Sequence, residues 1–309
     1  MTIKNLFFVL LTSTLLALPV MAQEEETDST GCDKGNESVF DEEDWDWNWD
    51  WNFRQGHAGY SFSGQPTIEA LYGVSAIGVK SLNGKFADAG AAELRLSYST
   101  LRERGYGIAV YKNNFVFLSN NNLDLKEQSK AGNLNSEAWR FGIGWQRAFA
   151  YTIGSAAIIP YNSNQIVWTR FKVQDSLGTV RNAADRNVLK EFDETFRFGT
   201  SAEAGIKVQI VPVLTFNAAY ERAAIFPRHL FWKQAGSWII EMAGQGVLEQ
   251  FAKEVMHSSP AAGPIVNFLL KSGLSYAVYE LRKEKMNWPF DSAEPLTFDT
   301  WKVGMTFTF

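Results

Sequence analysis

The sequence predicts an all-β membrane barrel of eight antiparallel strands, ten being the alternative count, with a helical hairpin inserted before the last strand. Three observations carry that expectation. Apolar and polar residues alternate with period two in eight separate stretches, the pattern of strands that show one face to an apolar phase and one to a polar phase. The connections between those stretches are alternately tight and long. One long segment, 226–294, abandons alternation for helical spacing.

The last stretch, 296–309, is the clearest. Trp301, Val303, Met305, Phe307 and Phe309 fall on one face, and Thr300, Lys302, Gly304, Thr306 and Thr308 on the other. An aromatic-rich face ends on Phe309. This stretch resembles the closing strand of bacterial outer-membrane β-barrel proteins, which commonly end in an aromatic residue behind alternating apolar positions. The wider architecture is similar to that of small OmpA/OmpX-type barrels. The resemblance covers the signal peptide, roughly 55–225, and 295–309. It implies a Gram-negative outer-membrane location, contact with outer membrane lipid, and a terminal strand that the barrel insertion machinery reads.

From the N-terminus, Lys4, the apolar run 6–20 and the small residue Ala22 predict a secretory signal peptide over 1–22. Residues 23–54 are acidic and Trp-rich, and the composition of 23–44 predicts disorder. Within this extension Trp45, Trp47, Trp49, Trp51 and Phe53 alternate with Asp and Asn, which suits either a docking strip or an aromatic anchor ahead of the first strand. The one cysteine, Cys32, excludes an internal disulfide. Cys32 stands apart from the apolar run, which favours a free thiol over a lipid anchor. The net charge of −5 with no basic stripe argues against a nucleic-acid partner. Aromatics at 14%, with 11 Trp, suit interfacial belts.

The barrel proper is expected over 55–225 and 295–309. Ile68, Ala70, Tyr72, Val74 and Ala76 open the series. Ala92, Leu94, Leu96 and Tyr98 follow, then a tight turn at 102–105, then Tyr106, Ile108 and Val110. Trp139, Phe141, Ile143, Trp145, Phe149 and Tyr151 form the fourth strand and turn tightly at 152–155 into a fifth near 157–171, where Pro160 implies a bulge. Phe196, Phe198, Ala202, Ala204, Ile206 and Val208 make the sixth, and a turn at 210–212 leads to Leu214, Phe216, Ala218 and Tyr220. The long connections fall at 79–87, 119–135, about 173–193 and 226–294. That parity puts both ends of the barrel chain on the tight-turn side.

The opposite face carries Glu69, Glu93, Arg95, Arg140, Arg197, Glu203, Lys207, Glu221 and Lys302. In a membrane barrel of eight strands these charges point into a narrow, side-chain-filled lumen and must pair there. In the rival architecture, a soluble sandwich or lipocalin-like barrel, the same residues would face water. A narrow pore along the charges is a further alternative.

Residues 226–294 are expected as two helices, about 227–257 and 264–285. The first carries Phe231, Trp238, Ile239 and Phe251 on one side and a polar row at Lys233, Ser237, Glu241, Gln245, Glu249 and Lys253 on the other. The second is apolar around most of its circumference, with Phe268 and Leu269 among its exposed candidates. By parity this hairpin joins the barrel at the long-loop side, where it could cap the barrel, lie in the interface, or dock a partner. Burial of its apolar area between the two helices and the rim is the competing arrangement.

No constellation reaches the strength of a catalytic, cofactor or metal motif. His57, His229 and His257 lack ligand neighbours at metal spacing. His257-Ser258-Ser259 has no third orienting residue for a surface hydrolase. The sequence therefore points to a non-catalytic envelope protein that uses its hairpin to contact lipid or another envelope protein, with a lipid-modifying enzyme as the rival class.

Overall fold

The computed structural model describes residues 64–125, 134–174 and 182–309. The expected signal peptide (1–22), acidic extension (23–54), Trp/Asp strip and His57 lie outside the described residues. Eight strands follow in order: β1 (Gln65–Gly78), β2 (Ala89–Gly105), β3 (Ile108–Asn122), β4 (Ser136–Ile153), β5 (Ala156–Val173), β6 (Phe196–Val211), β7 (Leu214–Ile225) and β8 (Leu296–Thr308). Each pairs antiparallel with the next, and β8 returns to β1, from Thr67↔Thr308 to Gly78↔Thr297. The result is a closed barrel of eight strands, not ten, and closure leaves no edge strand.

The alternation assigns faces as the sequence does. Along β1 every second residue from Thr67 to Ile77 is buried, and those between are exposed. The tight connections join β2 to β3, β4 to β5 and β6 to β7, and define a turn end. The longer segments define a loop end.

Two local expectations are corrected. The first turn is not at 102–105. β2 runs on to Gly105, and the chain reverses at Tyr106-Gly107, both in the left-handed region (φ 53° and 69°). That pair of angles makes a type I′-like two-residue turn whose twist matches the strands. Nor does Pro160 make a bulge: β4–β5 and β5–β6 keep constant register on both sides of it. The register shifts lie instead beside two turns, between Glu103 and Gly105 and between Gln209 and Val211.

The lumen is filled in three layers. Toward the loop end an apolar cluster contains Ile77, Phe115, Phe117, Phe171, Ile225 and Phe298. The connections close over it. Phe86 and Leu134 bridge two of them, and Leu189 and Phe192 enter from the β5–β6 connection. That connection holds a short helix, α1 (Ala183–Lys190), which the sequence reading leaves as loop. Asn182 caps it by accepting from Ala184 N (2.9 Å). Asp185 then accepts from the backbone N–H groups of Asn83 and Gly84, tying α1 to the β1–β2 loop. The barrel lid is thus made of these loops and α1. Toward the turn end, Tyr111, Ile159, Tyr161 and a set of alanines fill the lumen. The charged layer lies between.

Between β7 and β8 stand two helices, α2 (Phe231–Ser258) and α3 (Gly263–Arg282), joined by a short turn into an antiparallel hairpin.

Candidate functional site

The inward positions of six strands bring eight charges into one layer. Arg95 is the hub on one side: its guanidinium reaches Glu93 (2.5 Å), Glu203 (2.6 Å) and Glu69 (3.4 Å). Lys302, on the closing strand, is the hub on the other, facing Glu203 (2.7 Å), Glu221 (2.8 Å) and Glu93 (3.2 Å). Arg140 pairs with Glu221 (2.5 Å), and Lys207 with Glu69 (3.3 Å). All eight are buried. Four carboxylates therefore meet four cations, which is the balance that a low-dielectric interior requires.

Neutral groups take up the remaining lone pairs. Tyr161 donates to Glu203 (2.7 Å), Ser201 to Glu221 (2.6 Å), and Asn217 and Thr306 to Glu69 (2.8 and 3.0 Å). Arg95 and Arg140 also lie over the rings of Phe115 and Phe298, which joins the charged layer to the apolar cap. Of the nine lumen charges expected from sequence, eight meet in this network. Arg197 does not. It stands near the loop end of β6, half-buried, with no ion pair among the described residues and no partner for its Nε. Tyr161, Tyr111 and Asn217 are missed members. Their signal was present, since each falls on the inward phase of a strand.

The outer wall presents a second site. Strand residues that alternate away from the lumen are largely apolar and exposed: Ile68, Tyr72, Val74, Leu94, Leu96, Val116, Leu118, Ile206 and Val208 among them. Toward the loop end Phe141 stacks on Trp168 (5.8 Å), and Phe196 and Phe198 meet them edge-on. The terminal residues Trp301, Val303, Met305, Phe307 and Phe309 all lie exposed on this wall. The Phe309 N–H donates to Pro66 C=O (3.0 Å) at the closing seam.

One strip of this wall is polar, and the hairpin lies on it. Arg222 alternates outward from β7, yet is only 4% exposed, because Tyr220, Tyr276 and Tyr279 surround its guanidinium at 5.2–6.0 Å. Asn162, outward on β5, donates to Ser272 of α3 (2.8 Å). At the turn end Tyr151 donates to the Ala261 C=O in the hairpin tip (2.6 Å), and Ala252 and Met256 pack on Ile108, Val110 and Phe149. At the loop end Lys283 approaches Asp299 (3.9 Å), and Met286 packs with Ala224 and Phe226. The hairpin thus leaves the loop end and descends the outer wall to the turn end. Capping of the barrel is ruled out as its position.

Its polarity is reversed from that of a helix on a water-exposed protein. From Ser237 onward the polar row of α2 turns inward: Ser237 is buried, and Glu241 binds Arg282 of α3 (2.8 Å). The apolar side turns outward, with Phe231, Trp232, Trp238, Ile239, Val247 and Phe251 exposed, Trp232 at 82%. On α3, Ile265 and Leu269 are exposed while Asn267 and Tyr279 are buried; Phe268 is half-buried. Burial of the apolar area between the helices and the rim is therefore not what this fold does. Among the described residues no helix is, by itself, long and apolar enough to cross a membrane. His257 and Ser258 lie at the hairpin tip, where Ser258 donates to Val255 C=O (3.2 Å), and His229 sits by Phe198 at the loop end. Among the described residues no group of three His, Cys, Asp or Glu could hold a metal ion.

No protein-family model matches this chain, and no curated protein matches it. Solved structures give weak likenesses. Neisserial surface protein A aligns at 9% identity over 79% of this chain and 97% of that one, with a TM-score of 0.36. Ail, the attachment invasion locus protein of Yersinia pestis, aligns at 8% over 80% and 99%, TM-score 0.32. The outer membrane protein OprG from Pseudomonas aeruginosa aligns at 12% over 80% and 97%, TM-score 0.28. At this level of likeness none of the three carries an assignment for this chain, and the barrel's own surfaces have to do so.

Proposed function

We propose that this chain is an integral outer-membrane β-barrel with a plugged lumen, whose role is structural or interactional and is exercised through the helical hairpin. The observation that carries the reading is the division of polarity in a closed ring. Every ionised lumen residue of the network finds an opposite charge, while the outward residues outside the hairpin strip are largely apolar. Water would disfavour that wall as an exterior, and hydrocarbon favours it. The 12–18-residue strands exceed the roughly 9–11 needed to span a bilayer at a tilt.

The loop-end cluster around Phe141, Trp168 and Phe196 suits an interfacial aromatic belt. The filled, charge-neutral layer and the apolar cap favour a plug over a conduit. Outer membrane lipid is then the main partner. The barrel insertion machinery would read Trp301, Val303, Met305, Phe307 and Phe309. The surface formed by Phe231, Trp238, Ile239, Phe251, Phe268 and Leu269 would meet lipid or another envelope protein. An N-terminal signal peptide supplies export.

Heat-modifiability tests the reading. Outer-membrane fractions are run on a detergent gel boiled and unboiled. Recovery in that fraction with a mobility shift is expected. A protein found free in the periplasm, with no shift, would leave a soluble barrel with its apolar wall otherwise covered.

A further inference from the structure

Resting on the membrane reading, the geometry points to a hairpin immersed in the bilayer. We propose that α2 and α3 run through the full depth of the membrane against the barrel wall, with their outer face against lipid acyl chains and their tip at 259–262 on the turn-end side. The occupant of the exposed apolar face is hydrocarbon.

Four observations lead there. The first is continuity. The hairpin lies between the exposed apolar residues of β1–β3 and those of β6–β8, so its outer face and theirs form one girdle around the molecule. The second is the distribution of charge on α2. From Trp238 to Phe251 the exposed residues are Trp238, Ile239, Ile240, Met242, Ala243, Gly246, Val247, Gln250 and Phe251, none of them charged. Exposed charged or titratable residues gather at the two ends, Arg228, His229 and Lys233 at one and Glu254 and His257 at the other. On α3 no exposed residue is charged, and the exposed ones are Ile265, Leu269, Ala277 and Leu281.

The third is length. Twenty-eight residues of α2 extend about 42 Å and twenty of α3 about 30 Å, against about 30 Å of hydrocarbon. The two contacts that fix the hairpin lie at opposite ends of the barrel: Lys283 by Asp299 near the loops, and Tyr151 on Ala261 beside a tight turn. The fourth is what the hairpin covers. Arg222, Asn162 and Asp299 are outward positions that hydrocarbon would penalise, and each meets a polar or aromatic group of the helices instead. Neither helix is apolar enough to span alone, because the polar row of α2 faces α3, and the polar groups of α3 face this strip, not lipid.

The test uses the full chain carrying Cys32→Ser, with single reporter cysteines. Ser81→Cys marks the loop end, Ser155→Cys the turn end, and Ser259→Cys the hairpin tip. Intact cells are treated with a membrane-impermeant maleimide before and after the outer membrane is permeabilised. Ser259→Cys is expected to follow Ser155→Cys, with loss of labelling on one side of the membrane, and to oppose Ser81→Cys. Labelling together with Ser81→Cys would overturn the proposal. So would a tip that stays unlabelled from both sides but labels once the protein is denatured, since that places it within the bilayer. Equal labelling of Ser81→Cys and Ser155→Cys in intact cells would instead defeat the membrane reading itself.

In proteoliposomes, a nitroxide at Leu269→Cys is compared with one at Leu94→Cys on the bare barrel wall. Ready collision with oxygen and loss of collision with a nickel chelate are expected at both. Chelate collision at Leu269→Cys alone would overturn the proposal and leave the barrel assignment standing.

Discussion

Replacing Lys302 by Met keeps the aliphatic stem and removes one cation from a buried layer of four carboxylates and four cations. Lys302 lies within 3.2 Å of Glu203, Glu221 and Glu93. After the change, Glu93 and Glu203 still face Arg95 and Glu221 still faces Arg140, so no carboxylate is left wholly alone. Four negative groups would nevertheless share three cations, and breaking a buried pair from one side costs about 3–5 kcal/mol. Because partial partners survive, the low end, about 3 kcal/mol, is expected. Adding Glu93→Gln returns the layer to charge parity, so the double variant should be less destabilised than the sum of the two singles by about 1–3 kcal/mol. Urea unfolding in detergent, followed by the gel shift of the folded barrel, measures both. A Lys302→Met barrel within about 1 kcal/mol of the parent, or strictly additive singles, would refute the paired-plug account.

Four further outcomes follow from the same structure. Purified protein in planar bilayers should give no stable conductance steps; regular steps would mean that the charged layer opens. Arg222→Ala removes a desolvated guanidinium from between Tyr276 and Tyr279, worth about 2 kcal/mol, so hydrogen exchange across 264–281 should speed up by more than about tenfold; unchanged exchange would show that Arg222 does not hold the hairpin. Gly144→Val brings side-chain atoms into the Phe115 ring, whose Cε1 lies 2.8 Å from where a Cβ would stand, and overpacking of this kind costs about 1–3 kcal/mol in the same urea assay. Deleting Phe309 removes both the exposed terminal ring and the backbone bond to Pro66, and should lower the yield of heat-modifiable protein in the outer membrane; an unchanged yield would discount Phe309 as an insertion signal.

Much of the barrel was legible because alternation is a local signal. Leu94 and Leu96 interleave with Glu93 and Arg95, and a one-residue slip would turn the charges to the outer wall and the leucines into the lumen. Pairing inside the lumen followed from the cost of unpaired charge. The true first turn was hidden because Arg102, Glu103 and Arg104 look like turn residues, whereas Tyr106, a bulky residue in the left-handed region, does not. The eight residues of α1 were too few to stand out in a long connection.

The place of the hairpin was beyond helical periodicity, which gives a helix its faces but does not say what each one meets. The clue lay in the strands. Arg147 and Arg222 occupy outward phases of β4 and β7, whose other outward residues are largely apolar, and such residues require a cover.

Ile225 and Leu296 are cross-strand partners, so the chain leaves the wall and returns to it at a single point on the rim. The intervening segment is topologically a graft. A short loop could join β7 to β8 there and leave all eight strands and the charged layer in register. The barrel and the insertion can therefore diverge independently everywhere except along the covered strip. Loss of the graft would oblige Arg222, Asn162 and Asp299 to become apolar, and relatives of this chain that lack the hairpin should carry that trace.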